Sequence, residues 1–162
     1  MTVDKRRVLD ALRARVAEQL HTLTASHHAA QSGATHEETR SEHPKDTRAI
    51  EAQYLARGLA ARVETLRDTM GALGVLHPVP FGDDDPIALS AVVDVEDAQG
   101  ESATYFIVPA AGGETVQVDG VSFQSLTPAS PLGQALIGKR VDDDVEIELR
   151  AGKRQITVTS VR

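Results

Sequence analysis

The chain has 162 residues, no cysteine, no tryptophan and only 3% aromatic residues, which excludes disulfides, thiolate metal centres, thiol catalysis and aromatic stacking platforms for single-stranded nucleic acid. With 41% hydrophobic and 25% charged residues it reads as a globular chain, and no apolar run approaches the roughly 18 residues that span a bilayer. The net charge of −7 is uneven: residues 1–76 hold eleven Lys/Arg against ten Asp/Glu (+1), and residues 77–162 hold six against fourteen (−8). An acidic half repels phosphate, so direct stable DNA binding is not expected, and a basic protein surface is the fitting partner. The basic start, Lys5-Arg6-Arg7, leads into an amphipathic pattern with acidic residues rather than a secretory signal. A chain without cysteine or a membrane segment is expected in the cytoplasm.

Leu9, Leu12, Val16, Leu20 and Leu23 recur at helical spacing on one face, and Gly33 is the expected stop of this first helix. A second heptad-like seam runs Leu59, Val63, Leu66, Met70, Leu73, extended backward by the small residues Ala56, Ala52 and Ala49 and widened by Ile50 and Leu55. Two such helices joined by a short polar connection fold back as an antiparallel hairpin, a coiled coil covering about residues 1–76. The connection, residues 34–47, has no large apolar side chain, and Pro44 places the start of the second helix near 44–47. Glu37, Glu38, Glu42 and Asp46 crowd this tip. Two readings stand: carboxylates favoured at a helix N-terminus, or oxygen ligands for a hard cation such as Mg²⁺. His36 and His43 lie in the same connection without a fixed metal-binding spacing, and His21, His27 and His28 are surface or seam residues of the first helix.

Residues 77–86, rich in Pro, Gly and Asp, read as a linker; their three consecutive aspartates lack the alternation of a calcium loop. Strands are expected over 89–95, 104–108, 115–118, 145–149 and 155–161, within a small β-rich domain at 87–162. One short helix follows Ser130 as N-cap, with Pro131 at its first position and Gly138 as its stop. Gly112-Gly113 lacks the frame of a phosphate loop, and no nucleophile–base constellation is present, so no catalytic site of its own is expected. The fold class is therefore α+β: a helical hairpin, then a β-sheet domain with one short helix.

The run Ser130-Pro131-Leu132-Gly133-Gln134-Ala135-Leu136-Ile137-Gly138-Lys139, followed by Asp143-Asp144-Val145-Glu146-Ile147, resembles the C-terminal signature of the bacterial Gre transcript-cleavage factors. Thr104-Tyr105-Phe106-Ile107-Val108 is similar to their Thr-Tyr-x-Ile-Val strand, and Ala151-Gly152 falls at their hairpin turn. The resemblance covers about residues 89–162. It implies an FKBP-like domain that docks on RNA polymerase at the secondary channel, through Ser130, Pro131, Leu132, Leu136, Ile137, Gly138, Lys139 and Asp143. It also implies a coiled coil whose tip acids act near the polymerase's Mg²⁺ and so, indirectly, on the nascent RNA 3′ end. Asp46 falls at the first Glu of the family's tip pattern, and His43 stands where its Asp would be, leaving Glu42, Glu38 or Glu37 as the second acid. Asp46 and Glu42 would be metal ligands only within the polymerase complex, and no cofactor of its own is implied. The expected function is stimulation of cleavage of backtracked RNA by a factor that is not itself an enzyme. The alternative is a non-cleaving regulator or inhibitor of the same channel. A peptidyl-prolyl isomerase is disfavoured, because residues 77–162 carry only Phe81, Tyr105, Phe106 and Phe123 to build an aromatic-walled site.

Overall fold

The computed structural model describes residues 3–40, 47–149 and 152–162. Helix α1 spans Lys5–Arg40 and helix α2 spans Thr47–Gly74. The seams read from spacing are the covered faces: Leu9, Leu12, Val16, Val63 and Leu73 are at most 3% exposed, and Leu20, Leu23, Leu59, Leu66 and Met70 are half-buried. Arg13 caps the end of α2, its Nε and Nη2 donating to the Leu73 carbonyl at 3.2 and 2.7 Å and its Nη2 also to the Gly74 carbonyl at 3.3 Å. A guanidinium is well placed there, where carbonyls lack helical partners and the helix dipole is negative. The start of α1 thus lies beside the end of α2, and the helices run antiparallel.

Two details differ from the sequence reading. Ile50 and Leu55 do not widen the seam; they are 46% and 58% exposed. Each stands one residue from a seam alanine (Ala49, Ala56), and a step of one residue turns a helix by about 100°. The helix also does not stop at Gly33 but continues to Arg40, so residues 34–40 of the expected connection, Glu37 and Glu38 among them, are helical in backbone. An interior glycine costs only about 1 kcal/mol relative to alanine, and helix formers on both sides carry the chain through it.

By compactness the chain divides into residues 15–71 and a second unit composed of residues 1–14 with 72–162. The compositional boundary at 77–86 falls inside that second unit. Within it, strands β1 (Val92–Asp97), β2 (Ser102–Ile107), β3 (Thr115–Val118), β4 (Val121–Leu126), β5 (Asp144–Leu149) and β6 (Gly152–Val161) form one mixed sheet in the order β3-β4-β2-β1-β6-β5. All neighbours are antiparallel except β2 and β4, which pair in parallel. Strand β4 is absent from the sequence reading. It follows a two-residue turn in which Asp119 and Gly120 both have positive φ (52° and 80°), the primed geometry that matches strand twist. Helix α3, Pro131–Leu136, packs against β5.

The main core lies on one face of the sheet and contains Val93, Val95, Ile107, Leu136, Val145, Ile156 and Val158. Strand alternation sends Val92, Phe106 and Phe123 to the opposite face, where they too are buried. Over this half of the unit the first turns of α1 are tied down by an ion pair between Arg7 and Asp119 at 2.6 Å.

Candidate functional site

The segment singled out by sequence, residues 127–143, is held mainly by its own backbone. Ser130 is the N-cap of α3: its hydroxyl accepts from the Gly133 amide at 3.1 Å and donates to the Thr127 carbonyl at 2.8 Å. Pro131 occupies the first helical position, where a missing N–H costs nothing. Gly133 is buried against the chain that precedes the helix; a Cβ there would lie 1.9 Å from the Thr127 carbonyl oxygen. Gly138 ends the segment with φ of 81°, and its amide donates to the Ile87 carbonyl at 2.8 Å while the Ile87 amide donates to the Lys139 carbonyl at 2.8 Å. Beyond it, Asp143 accepts from the Arg140 amide through its carboxylate at 2.8 Å, and Arg140 donates through Nε to the Asp84 carbonyl at 3.0 Å. The sequence-expected linker is therefore stitched to the end of the signature.

This sorts the expected docking residues. Leu136 is fully buried and anchors α3 in the core, so it offers no surface to a partner. Leu132 is half-buried against the same core. Pro131, Ile137 and Gly138 are exposed, with Lys139 partly so, and Leu89 adds a second exposed aliphatic chain beside the strand-like pairing of Ile87 with residues 138 and 139. A recess of about 70 Å³ opens between α3 and the sheet, lined by Val95, Ala103, Tyr105, Leu132, Ile147 and Ile156. At its rim Arg154 pairs with Asp97 at 2.6 Å. The backbone amide of Glu101, then the Arg154 guanidinium, hold the Asp97 carboxyl below the usual carboxylate range, and the amide of Gln99 adds to this.

Of the tip acids, Glu42 and Asp46 lie outside the described residues, and of Glu37 and Glu38 only the helical backbone is described. Among the described residues no three His, Asp or Glu side chains are grouped to hold a metal ion, and no helix is long and apolar enough to cross a membrane. The sequence reading missed the role of residues 77–81. Lys5 donates to the Val79 carbonyl at 2.6 Å and lies 4.5 Å from the centre of the Phe81 ring. Val79 in turn donates from its amide to the Ser90 hydroxyl at 3.1 Å, and Phe81 packs on the main core. Val79 and Phe81, apolar side chains in a stretch otherwise made of Pro, Gly, His and Asp, were the available signal.

Residues 82–162 match the family model for the C-terminal part of transcription elongation factor GreA/GreB. The chain belongs to the GreA/GreB family. Its relatives in the family include the transcription inhibitor protein Gfh1 of Thermus aquaticus, 30% identical over 104 residues, which are 64% of this chain and 62% of that protein. Transcription elongation factor GreB of Xanthomonas axonopodis pv. citri is 36% identical over 105 residues, 62% of this chain and 56% of its own length. The chain thus spans less than two thirds of the length of these curated relatives. A solved structure of Thermus aquaticus Gfh1 aligns with 94% of this chain and 95% of its own at 25% identity, with a TM-score of 0.40.

Proposed function

We propose that this protein is a Gre-type regulator that binds bacterial RNA polymerase at its secondary channel and presents the tip of its helical hairpin to the active site. The supporting observation is the family match over residues 82–162, preceded by two long antiparallel helices. In this reading Pro131, Ile137, Gly138 and Lys139, with Leu89 beside them, make the docking face, while Ser130, Gly133 and Leu136 hold it in shape. The acidic character of residues 77–162 suits a basic surface on the polymerase and makes association salt-sensitive.

At the tip, Asp46 and one of Glu42, Glu38 or Glu37 would lend carboxylate oxygens to the Mg²⁺ of the polymerase, which supplies the charge that activates water for cleavage of backtracked RNA. The protein contributes ligands and placement and has no reaction of its own. A second reading, a non-cleaving factor that inhibits from the same position, is favoured by His43 standing in place of the family's first tip acid and by the inhibitor proteins among the relatives.

A backtracked-complex assay separates the two. If the tip stimulates cleavage, Asp46→Asn, which keeps the size and helix-capping ability of the side chain but removes its charge, lowers the cleavage rate at least about tenfold, equivalent to about 1.4 kcal/mol, with polymerase affinity unchanged. An unchanged rate removes Asp46 from the chemistry. No stimulation by the wild type, with inhibition of elongation relieved by neutralising the four tip acids, establishes the second reading. Failure to bind core polymerase at low salt overturns both.

A further inference from the structure

The recess between α3 and the sheet has an apolar floor and polar groups at its mouth. Strand pairing explains the floor. Val95 stands opposite Ala103, Asp97 opposite Ile156 and Ile147 opposite Arg154, and directly opposed side chains share a face of the sheet. Helix α3 is only six residues long and covers part of that face, and Leu132 walls the opening that is left. Val95, Ile147 and Ile156 are buried, while Ala103, Tyr105 and Leu132 remain partly open.

The polar groups at the mouth divide into two kinds. Asp97 is fully engaged: its carboxylate, 6% exposed, accepts from the amides of Gln99 at 3.0 Å and Glu101 at 2.9 Å and from the Arg154 guanidinium at 2.6 Å. It ties the β1–β2 connection to β6, so the mouth is formed before anything enters it. The Glu101 side chain is exposed, and neither its carboxylate nor the Tyr105 hydroxyl has a partner among the described residues. The volume of about 70 Å³ is far below the roughly 300–1,000 Å³ of sites for small organic ligands, yet well above the roughly 10–15 Å³ that one water needs. One aliphatic side chain fits such a space and restores dispersion contacts that its lining lacks.

Resting on the Gre-type reading, we propose that this recess is the socket for one branched aliphatic side chain of RNA polymerase, with the Tyr105 hydroxyl bonded to the backbone beside it and Glu101 paired with a flanking Lys or Arg. Two observations select this occupant. Pro131, exposed on the proposed docking face, directly precedes Leu132, so the recess continues that face around α3. The unpaired Glu101 carboxylate, in a half of the chain with six Lys/Arg against fourteen Asp/Glu, calls for a basic segment. A second copy of this chain would bring the same acidic surface to the mouth and be repelled. A side chain seated in a preformed apolar pocket at an interface carries a large share of the affinity.

The test is the affinity of the full chain for core RNA polymerase, measured by displacement of a fluorescently labelled copy at low and at high salt. Ala103→Leu fills the recess from its own floor and should weaken binding at least about tenfold while the far-ultraviolet circular dichroism stays that of the wild type. Tyr105→Phe, which keeps the ring and removes the hydroxyl, should weaken binding severalfold. Glu101→Gln should do so chiefly at low salt, where charge pairing at an exposed rim is least screened. A wild type that does not bind at low salt overturns the Gre-type reading and this proposal with it. Wild-type binding that Ala103→Leu leaves unaltered overturns this proposal alone. If Ala103→Leu does not fold, the other two variants decide, and wild-type affinity in both overturns the proposal. A dimer seen by sedimentation that Ala103→Leu abolishes, with polymerase binding intact, would give the socket to a second copy instead.

Discussion

Gly58 and Gly71 stand inside α2, and beyond their chain neighbours and the helix's own backbone nothing lies within 4 Å of where a Cβ would sit, whereas a Cβ on Gly133 of α3 would collide with a backbone oxygen. Residues 15–71 form a helical pair in which a seam position repeats every three or four residues and the outward side is open to solvent. The unit built on the sheet is made of close approaches that each occur once: Gly133 on Thr127, Gly138 on Ile87, the Asp119-Gly120 turn. Repetition tolerates substitution because neighbouring turns share the burial. A single close approach has no neighbour to share it.

The largest contrast is in side-chain truncation. Leu136→Ala removes a wholly buried side chain and should cost about 2–5 kcal/mol, while Leu55→Ala, on the open side of α2, should stay within about 0.5 kcal/mol. Urea midpoints of the two variants check this, and equal losses would break the comparison. Next comes overpacking. Gly133→Ala should destabilise by about 3 kcal/mol, the upper part of the range for inserted methyl groups, because the obstructing atom is backbone and cannot rotate away. The same substitution at Gly58 should stabilise by about 0.5–1 kcal/mol, since the helix gains propensity and nothing is displaced. Thermal melts followed by circular dichroism give the sign of each, and a destabilised Gly58→Ala would show that α2 is less repetitive than its seam.

The comparison also extends to a pH dependence confined to the sheet unit. Lys5 titrates near 8 when folded and near its ordinary 10.5 when unfolded. Between these values the unfolded chain holds the proton that the folded chain has shed, so stability rises with pH across the window. Below about 8 both states are protonated and the burial penalty is fully present. Lys5→Met should flatten the stability profile between pH 8 and 10.5, measured by denaturant midpoints. An unaltered slope would mean that Lys5 is not desolvated.

How much of this was legible in the sequence follows the same division. The seams of α1 and α2 were readable because periodicity is a local signal. So was α3, whose Ser-Pro start and Gly138 stop are local chemistry. Strand β3 was read to the residue, and β1, β2, β5 and β6 to within a few residues at each end. Strand β4 was missed although Asp119-Gly120 is a hairpin dipeptide and Val121, Phe123 and Ser125 alternate with Ser122, Gln124 and Leu126. Its serines and glutamine diluted the apolar count. The anchoring of residues 77–81 could not be read locally, because it depends on Lys5, 74 residues away from Val79. The docking role given to Leu136 had the opposite fault: a signature residue can mark a core position as readily as a surface one.

Strand β6 follows every other strand in the chain yet stands between β1 and β5 in the sheet. A ribosome making about 5–20 residues per second therefore leaves β1 without its β6 neighbour for seconds after β1 has been made. During that interval the β1–β2 and β3–β4 hairpins can close, while the edge of β1 that β6 will take stays unpaired. Asp94, Glu96 and Asp97 in β1 put negative charge on this waiting edge, so two nascent chains meeting there repel rather than pair. The acidity of this half of the molecule thus has a use before the fold exists, as protection against aggregation during translation.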